Sequence, residues 1–161
     1  MNHYKTSKRP TVLMVCLGNI CRSPLAEAAL RQAAEKSGVE VHVDSAGTGD
    51  WHVGNAPDKR ACAVALNMGG IDIRKMRARQ IEESDFFKLD YILAMDIPNL
   101  RYLQSMTPEG SLADLSLFLD YTPGAKGRSV ADPYYGTSAD FETCWRQVQS
   151  AAEHFIKRLK P

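Results

Sequence analysis

Apolar positions change their period several times along the chain, and each change marks an element. The run TVLMVC at residues 11–16 is apolar almost without interruption. Such a run fits a strand covered on both faces, as in the middle of a parallel sheet. A helix follows: Ser23 and Pro24 read as a cap and a first-turn proline, and Leu25, Ala28, Ala29 and Ala33 recur at helical spacing. Gly38 suits a left-handed end to it. EVHVD at 40–44 alternates as a half-buried strand, and the glycines of SAGTGDWHVGN mark a loop after it. Residues 57–68 read as a second helix, closed by Gly69 and Gly70. After a basic connection at 74–79, a helical turn near 81–86 precedes LDYILAM, a buried strand at 89–95. Asp96 then caps a helix carrying Ile97, Leu100 and Leu103. A fourth strand is expected at 115–119, within LADLSLFLDY, whose period fits a helix as well. The segment 123–136 reads as loop. From Ser138 a helical stripe of Phe141, Trp145, Val148, Ala152, Phe155, Ile156 and Leu159 runs almost to the end.

Strands alternating with helices imply right-handed crossovers. The fold expected is α/β, a small doubly wound four-stranded parallel sheet with helices on both faces. In that architecture ligands bind beyond the carboxyl ends of the strands, where Cys16, Asp44, Ser45 and Asp96 all fall. A chain of 161 residues suffices for one domain and one core. Residues 1–10 read as a flexible N-terminal tail and residues 11–161 as the single domain.

Charge narrows the partners. With 20 Lys and Arg against 19 Asp and Glu, the formal net charge is +1, and the one basic cluster is Lys5, Lys8 and Arg9. Nothing in that balance draws the protein to nucleic acid or to an anionic membrane. MNHYKTSKRP has no apolar signal region, and nowhere do about 18 apolar residues run together. A cytoplasmic location is expected. Four cysteines are too few for a disulfide scaffold and are expected to stay reduced there. A special cysteine in this chain is then chemical rather than structural.

The chemistry concentrates in VCLGNICRSP, residues 15–24, which joins the first strand to the first helix. A loop in that position turns backbone N–H groups into its own concavity, and the helix N-terminus adds partial positive charge, so it binds an anion. Gly18 permits close approach of the backbone, Arg22 presents a planar fork to two oxygens, and Cys16 stands at the base of the bowl. The field that attracts an oxyanion also stabilises a thiolate, and the Ser23 hydroxyl is placed to donate to it. Taken residue by residue, Cys16 and Cys21 fit equally well as small buried apolar groups in an ordinary connection.

The stretch Cys16-Leu17-Gly18-Asn19-Ile20-Cys21-Arg22-Ser23 resembles the phosphate-binding loop of the low-molecular-weight protein tyrosine phosphatases. C-x5-R alone is shared by several phosphatase families, whereas V-C-x-G-N-I-C-R-S-P is far more specific. DSAGT (44–48), ARQI (78–81), DYILAMD followed by NLRYL (90–103), and DPYYG followed by DFET (132–143) are similar as well. The resemblance implies hydrolysis of phosphotyrosine or other aryl phosphate monoesters through a phosphocysteine intermediate. Cys16 would be the nucleophile, and Arg22 with Leu17, Gly18, Asn19, Ile20, Cys21 and Ser23 would cradle the oxyanion. Asp132 would serve as acid for the leaving group and then as base for water. By itself Asp132-Pro133 is only a turn signal. Tyr134 and Tyr135, taken alone, are aromatics that pin a loop; by resemblance they and Trp51 wall the substrate slot. Asn19 and Ser45 would brace the loop, a role that suits the tolerance of asparagine for left-handed backbone. Asp96 would join them, though helix capping explains it equally well. Cys21 would capture oxidised Cys16 as a disulfide. The implied partners are a phosphotyrosine protein or a small aryl phosphate, with inorganic phosphate or a similar oxyanion in the loop. Neither a metal nor another cofactor is implied.

One departure is Gly69, where the family often has a histidine before Gly-Ile. Competing readings fit less well. Zinc would need two ligands beyond Cys16 and Cys21, whose spacing is unusual for a metal pair. Cys62 and Cys144 stand alone on predicted helices, and His3, His42, His52 and His154 share no ligand spacing. The nucleotide-binding pattern G-x-x-x-x-G-K-[ST] is absent. Arsenate reductases of the same fold use paired resolving cysteines in a separate segment, which this chain lacks, and arginine phosphatases carry threonine where it has Ile20. A module that only binds phosphotyrosine would need Arg22 and the loop amides but neither Cys16 nor Asp132.

Overall fold

The computed structural model of the chain describes residues 9–160. Of the tail expected over residues 1–10, residues 1–8 lie outside the described residues. Arg9 is exposed, and Pro10 is already buried, its carbonyl accepting from the His42 N–H at 2.9 Å.

Strands β1 (Thr11–Cys16), β2 (His42–Gly47), β3 (Tyr91–Ala94) and β4 (Asp114–Leu117) form one parallel sheet in the order β2-β1-β3-β4. Helix α1 (Arg22–Ser37) joins β1 to β2, and α2 (Lys59–Gly69) with α3 (Asp85–Lys88) lies between β2 and β3. Helix α4 (Ile97–Met106) joins β3 to β4, and α5 (Ser138–Leu159) follows a long loop. Helices cover both faces, which explains the unbroken apolar run of β1. Val12 and Met14 pack with α1 and α5, whereas Leu13 and Val15 pack with Phe86 and Leu103 on the other side. Trp145, Val148, Phe155 and Ile156 of α5 are buried. Burial of side chains of that size contributes about 1.5–3 kcal/mol each, so α5 is part of the core. The chain crosses from β1 to β2 on one side and then to β3 on the other, and this reversal opens a crevice at the carboxyl end of β1.

The doubly wound α/β sheet is the fold expected; several boundaries differ. Helix α1 begins at Arg22 with Cys21 in the cap position and no side-chain cap, so Ser23 is not the cap but a first-turn residue whose hydroxyl meets Cys16. Its end at Gly38 is left-handed, φ 65°, as expected. Strand β2 runs to Gly47 rather than stopping at residue 44, because Ser45, Ala46 and Gly47 pair with Met14, Val15 and Cys16. These small residues give room: a Cβ at Gly47 would lie 2.7 Å from the Leu17 carbonyl oxygen. Helix α2 starts at Lys59, two residues after Pro57, with the Asp58 carboxylate accepting from the Arg60 N–H. The turn expected at 81–86 forms as α3, and β3 is shorter than 89–95 at both ends. Strand β4 stops at Leu117 and residues Phe118–Tyr121 coil into a 3-10 turn, which accounts for the mixed period there. Among the described residues, no helix is long and apolar enough to cross a membrane.

Candidate active site

Strand β1 delivers Cys16 to the crevice, and the loop after it curls over the sulfur. The carbonyls of Cys16, Leu17 and Ile20 are tied outward, accepting from the N–H groups of Thr48, Gly49 and Asp58 at 2.9, 2.9 and 2.8 Å. A loop with its carbonyls turned out presents its N–H groups inward. Asn19 makes the turn possible with φ 59°, in the left-handed region that asparagine tolerates.

Two donors meet the sulfur. The Asn19 N–H donates to Cys16 Sγ at 3.2 Å, and Ser23 Oγ lies 3.0 Å from it. Asn19 Nδ2 donates to Ser23 Oγ at 2.7 Å, which leaves the Ser23 proton for the sulfur at 3.0 Å or for the more distant Ala46 carbonyl at 3.5 Å. The same amide donates to Ser45 Oγ at 3.0 Å, Ser45 donates to Glu27 Oε1 at 2.8 Å, and Arg31 pairs with Glu27 Oε2 at 2.7 Å. Asn19 Oδ1 accepts from the Arg79 N–H at 3.0 Å, and the Arg79 side chain is itself held by Asp44 and Asp85. The polar chain behind the thiol is therefore anchored at both ends by arginines, and it directs donors at a developing thiolate.

Arg22 is buried, 3% exposed, with its two amino groups doing different things. Nη1 donates to Asp96 Oδ2 at 2.6 Å and to the Val130 carbonyl at 3.2 Å, whereas Nη2 lies 3.6 Å from Asp132 Oδ2. Burial opposes the guanidinium charge, but the neighbouring Cys16, Asp96 and Asp132 outweigh it and raise the pKa, so the cation is permanent. Asp96 uses its other oxygen to accept from the Asn99 N–H at 2.7 Å. Both readings of Asp96 thus hold together: one oxygen caps α4 and the other orients Arg22.

Cys16, Leu17, Gly18, Ile20, Cys21 and Arg22 line an open cleft together with Trp51, His52, Asp132, Tyr134 and Tyr135. Of these lining residues Trp51 is 69% and Tyr135 95% exposed, so both rings are open to solvent at the cleft. The side chains of Asn19, Ser23, Ser45 and Asp96 are not in the cleft but behind it. The Asn19 and Ser23 side chains reach Cys16 from that side, Ser23 Oγ directly and the Asn19 amide through Ser23. Burial, and after it the nearby Asp58 and Cys16, pushes the Cys21 thiol far above its ordinary range, so it is a neutral thiol beneath the loop. Among the described residues, no three His, Cys, Asp or Glu side chains converge so as to hold a metal ion.

Sequence reasoning missed Glu27, Arg79, His52 and the Asp58–Arg60 pair. Glu27 looks like an outward position of an alanine-rich helix, and only its partner 18 residues away makes it internal. Asp58, just after Pro57 and before the apolar period of α2, did carry a cap signal. The family histidine has no room here: a Cβ at Gly69 would sit 2.5 Å from Trp145 Cζ2, so the indole occupies that space.

The family described as low molecular weight phosphotyrosine protein phosphatase matches residues 11–161. A low molecular weight phosphotyrosine protein phosphatase of Schizosaccharomyces pombe is 46% identical over 156 residues, covering 95% of this chain and 99% of its own. The crystal structure of a protein tyrosine phosphatase from Entamoeba histolytica, with Hepes in its active site, superposes with a TM-score of 0.87 at 34% identity, covering 93% of this chain and 96% of that one. DARP, a Drosophila arginine phosphatase, superposes at 0.86 with 32% identity over 93% of this chain and 98% of its own.

Proposed function

The chain belongs to the low molecular weight phosphotyrosine protein phosphatase family, and on that premise we propose how its own residues divide the hydrolysis of a phosphotyrosine ester. The Cys16 thiolate attacks phosphorus opposite the leaving phenolate oxygen. The S–P bond forms as the P–O bond breaks, and the protonated Asp132 carboxyl gives its proton to the departing oxygen. Arg22, with Nη1 already held by Asp96 and Val130, turns Nη2 to the equatorial oxygens beside the loop N–H groups. Water then enters where the phenol left. Asp132, now a carboxylate, takes its proton; a new P–O bond forms, the S–P bond breaks, and phosphate and the Cys16 thiolate are released. In this scheme arginine and oriented amides meet the transition-state charge, so no cofactor has a step to perform.

The observation that carries the proposal is the pairing of a thiol under two donors with a buried Arg22 that faces Asp132 across 3.6 Å at the same cleft. The aromatic walls Trp51, Tyr134 and Tyr135, with Ile20 beside them, favour an aryl ester on a protein or a small molecule over phosphoarginine. Residues 11–161 form the catalytic unit. A cytoplasmic setting fits four free cysteines, one of which must remain a thiol to act. Peroxide oxidises Cys16 to a sulfenic acid, and attack by the Cys21 thiol expels water and leaves a reducible disulfide.

Steady-state hydrolysis of a phosphotyrosine peptide, p-nitrophenyl phosphate and phosphoarginine, with EDTA present and arsenate as a competing ligand, tests this reading. The expected result is metal-independent turnover that prefers phosphotyrosine. A preference for phosphoarginine would overturn the substrate, and anion binding without turnover would overturn the enzyme.

A further inference from the structure

Asp132 stands on a loop with 43% of its side chain exposed, yet it must hold one position while a substrate enters and a phenol leaves. The two ends of the loop are fixed. At its start the Val130 N–H donates to the Met95 carbonyl at 2.7 Å, and the Val130 carbonyl accepts from Arg22. At its end Thr137 and Asp140 form a reciprocal cap on α5. Between those ends a side chain from α2 reaches across.

Arg60, in the first turn of α2, donates from Nη2 to the Tyr134 carbonyl at 2.9 Å and from Nη1 to the Gly136 carbonyl at 3.5 Å. Asp58 grips the same guanidinium, accepting from Nε at 3.1 Å on Oδ1 and from Nη2 at 3.0 Å on Oδ2. The planar group lies 4.6 Å from the Phe141 ring centroid and 5.6 Å from that of Tyr134, which limits its swing. Asp58 is not free to drift either, since its N–H donates to the Ile20 carbonyl at 2.8 Å. Two residues of α2 and its cap therefore bridge the back of the phosphate loop to the loop that carries Asp132.

We propose that Arg60 is a positioning residue for the acid and base steps: by holding the Tyr134 and Gly136 carbonyls it sets where the Asp132 carboxyl sits relative to the leaving oxygen. This rests on the assignment of Asp132 as the acid. Arg60 touches no reacting atom, so its effect passes entirely through loop geometry. Misplacing a catalytic group by about 1 Å costs on the order of 10²-fold in rate. The acid matters most when the leaving phenol is weakly acidic, so the loss must depend on the substrate.

The test is kcat/KM across aryl phosphates whose phenols range from strongly to weakly acidic, for the parent, Arg60→Ala, Arg60→Lys and Asp132→Ala, with inhibition by inorganic phosphate measured in each. Arg60→Ala is expected to lose about 10- to 100-fold on phenyl phosphate but roughly twofold or less on the most acidic phenol. Its inhibition constant for phosphate is expected within about threefold of the parent, since the phosphate loop keeps its own bonds. Arg60→Lys keeps the charge but cannot span a carboxylate and two carbonyls, and falls between. Asp58→Asn, which loosens the same guanidinium, shifts the slope in the same direction and serves if Arg60→Ala does not fold. An equal loss on every substrate, or the parent's leaving-group slope in the Arg60 variants, overturns the proposal. The parent's slope in Asp132→Ala would instead overturn the acid assignment, so the two failures are told apart.

Discussion

Asn19 joins a left-handed backbone, φ 59°, to a side chain that makes three hydrogen bonds, and it is only 3% exposed. Asn19→Ala removes three bonds together: those donated to Ser23 and Ser45 at 2.7 and 3.0 Å, and that accepted from the Arg79 N–H at 3.0 Å. Leaving the Arg79 N–H without its acceptor costs about 1–3 kcal/mol. The two hydroxyls keep their other partners, Cys16 and Glu27, so each loses only about 0.5–1.5 kcal/mol. Alanine held in the left-handed region adds about 1–2 kcal/mol. The expected loss is about 3–8 kcal/mol, a large share of the roughly 5–15 kcal/mol that stabilises a domain. Urea unfolding followed by tryptophan fluorescence measures it as a fall in midpoint. Asn19→Gly loses the same bonds without the backbone strain. After glycine's extra chain entropy is taken off, it should exceed Asn19→Ala by about 0.5–1 kcal/mol. A loss under about 1 kcal/mol for Asn19→Ala, or a glycine variant less stable than the alanine one, would refute the reasoning.

Other expectations follow from single contacts. Burial pushes the Cys144 thiol up to about 12 from 9.0, so above pH 9 the unfolded chain ionises while the folded one does not. Stability should therefore be intact below pH 9 and fall toward pH 12 by about 1.4 kcal/mol per unit from this group, and Cys144→Ala should flatten that part of the urea-derived curve. Gly69→Ala puts a Cβ 2.5 Å from Trp145 Cζ2; thermal unfolding should show a loss of about 1–3 kcal/mol with kcat unchanged. Ser23→Ala removes a donor 3.0 Å from Cys16 Sγ. The sulfur then becomes a poorer leaving group, and kcat should fall about tenfold or more with a larger pre-steady-state burst of phenol.

What was legible in the sequence was whatever acts locally. The unbroken apolar run of β1, the alternation of strand and helix, the left-handed Gly38 and the stripe of α5 are each written within one segment, and each stands in the fold. The boundaries that moved did so where tertiary contact overrides local preference. Ser23 has the chemistry of a cap but turns its hydroxyl to Cys16, and Ser45-Ala46-Gly47 looks like loop but pairs with the end of β1, where the missing Cβ of Gly47 leaves room for the Leu17 carbonyl. In the active site, the residues of the quoted motifs were visible, Ser45 and Asp96 among them, whereas Glu27 and Arg60, which hold those motifs from outside, were not. Glu27 reaches the thiol only through Ser45 and Asn19, and Arg60 reaches Tyr134 across 74 residues. No period or spacing encodes such contacts; they exist once two helices and two loops meet at the end of β1.

Rapid acid quench during turnover of a phosphotyrosine peptide, followed by peptide mapping with mass spectrometry, tests the role of Cys16 most directly. The expected result is a phosphoryl group on the Cys16 peptide that matches the burst of phenol, together with no turnover and no adduct in Cys16→Ser. Turnover in which Cys16 never carries phosphorus, or a Cys16→Ser variant that retains full activity, would contradict the phosphocysteine mechanism.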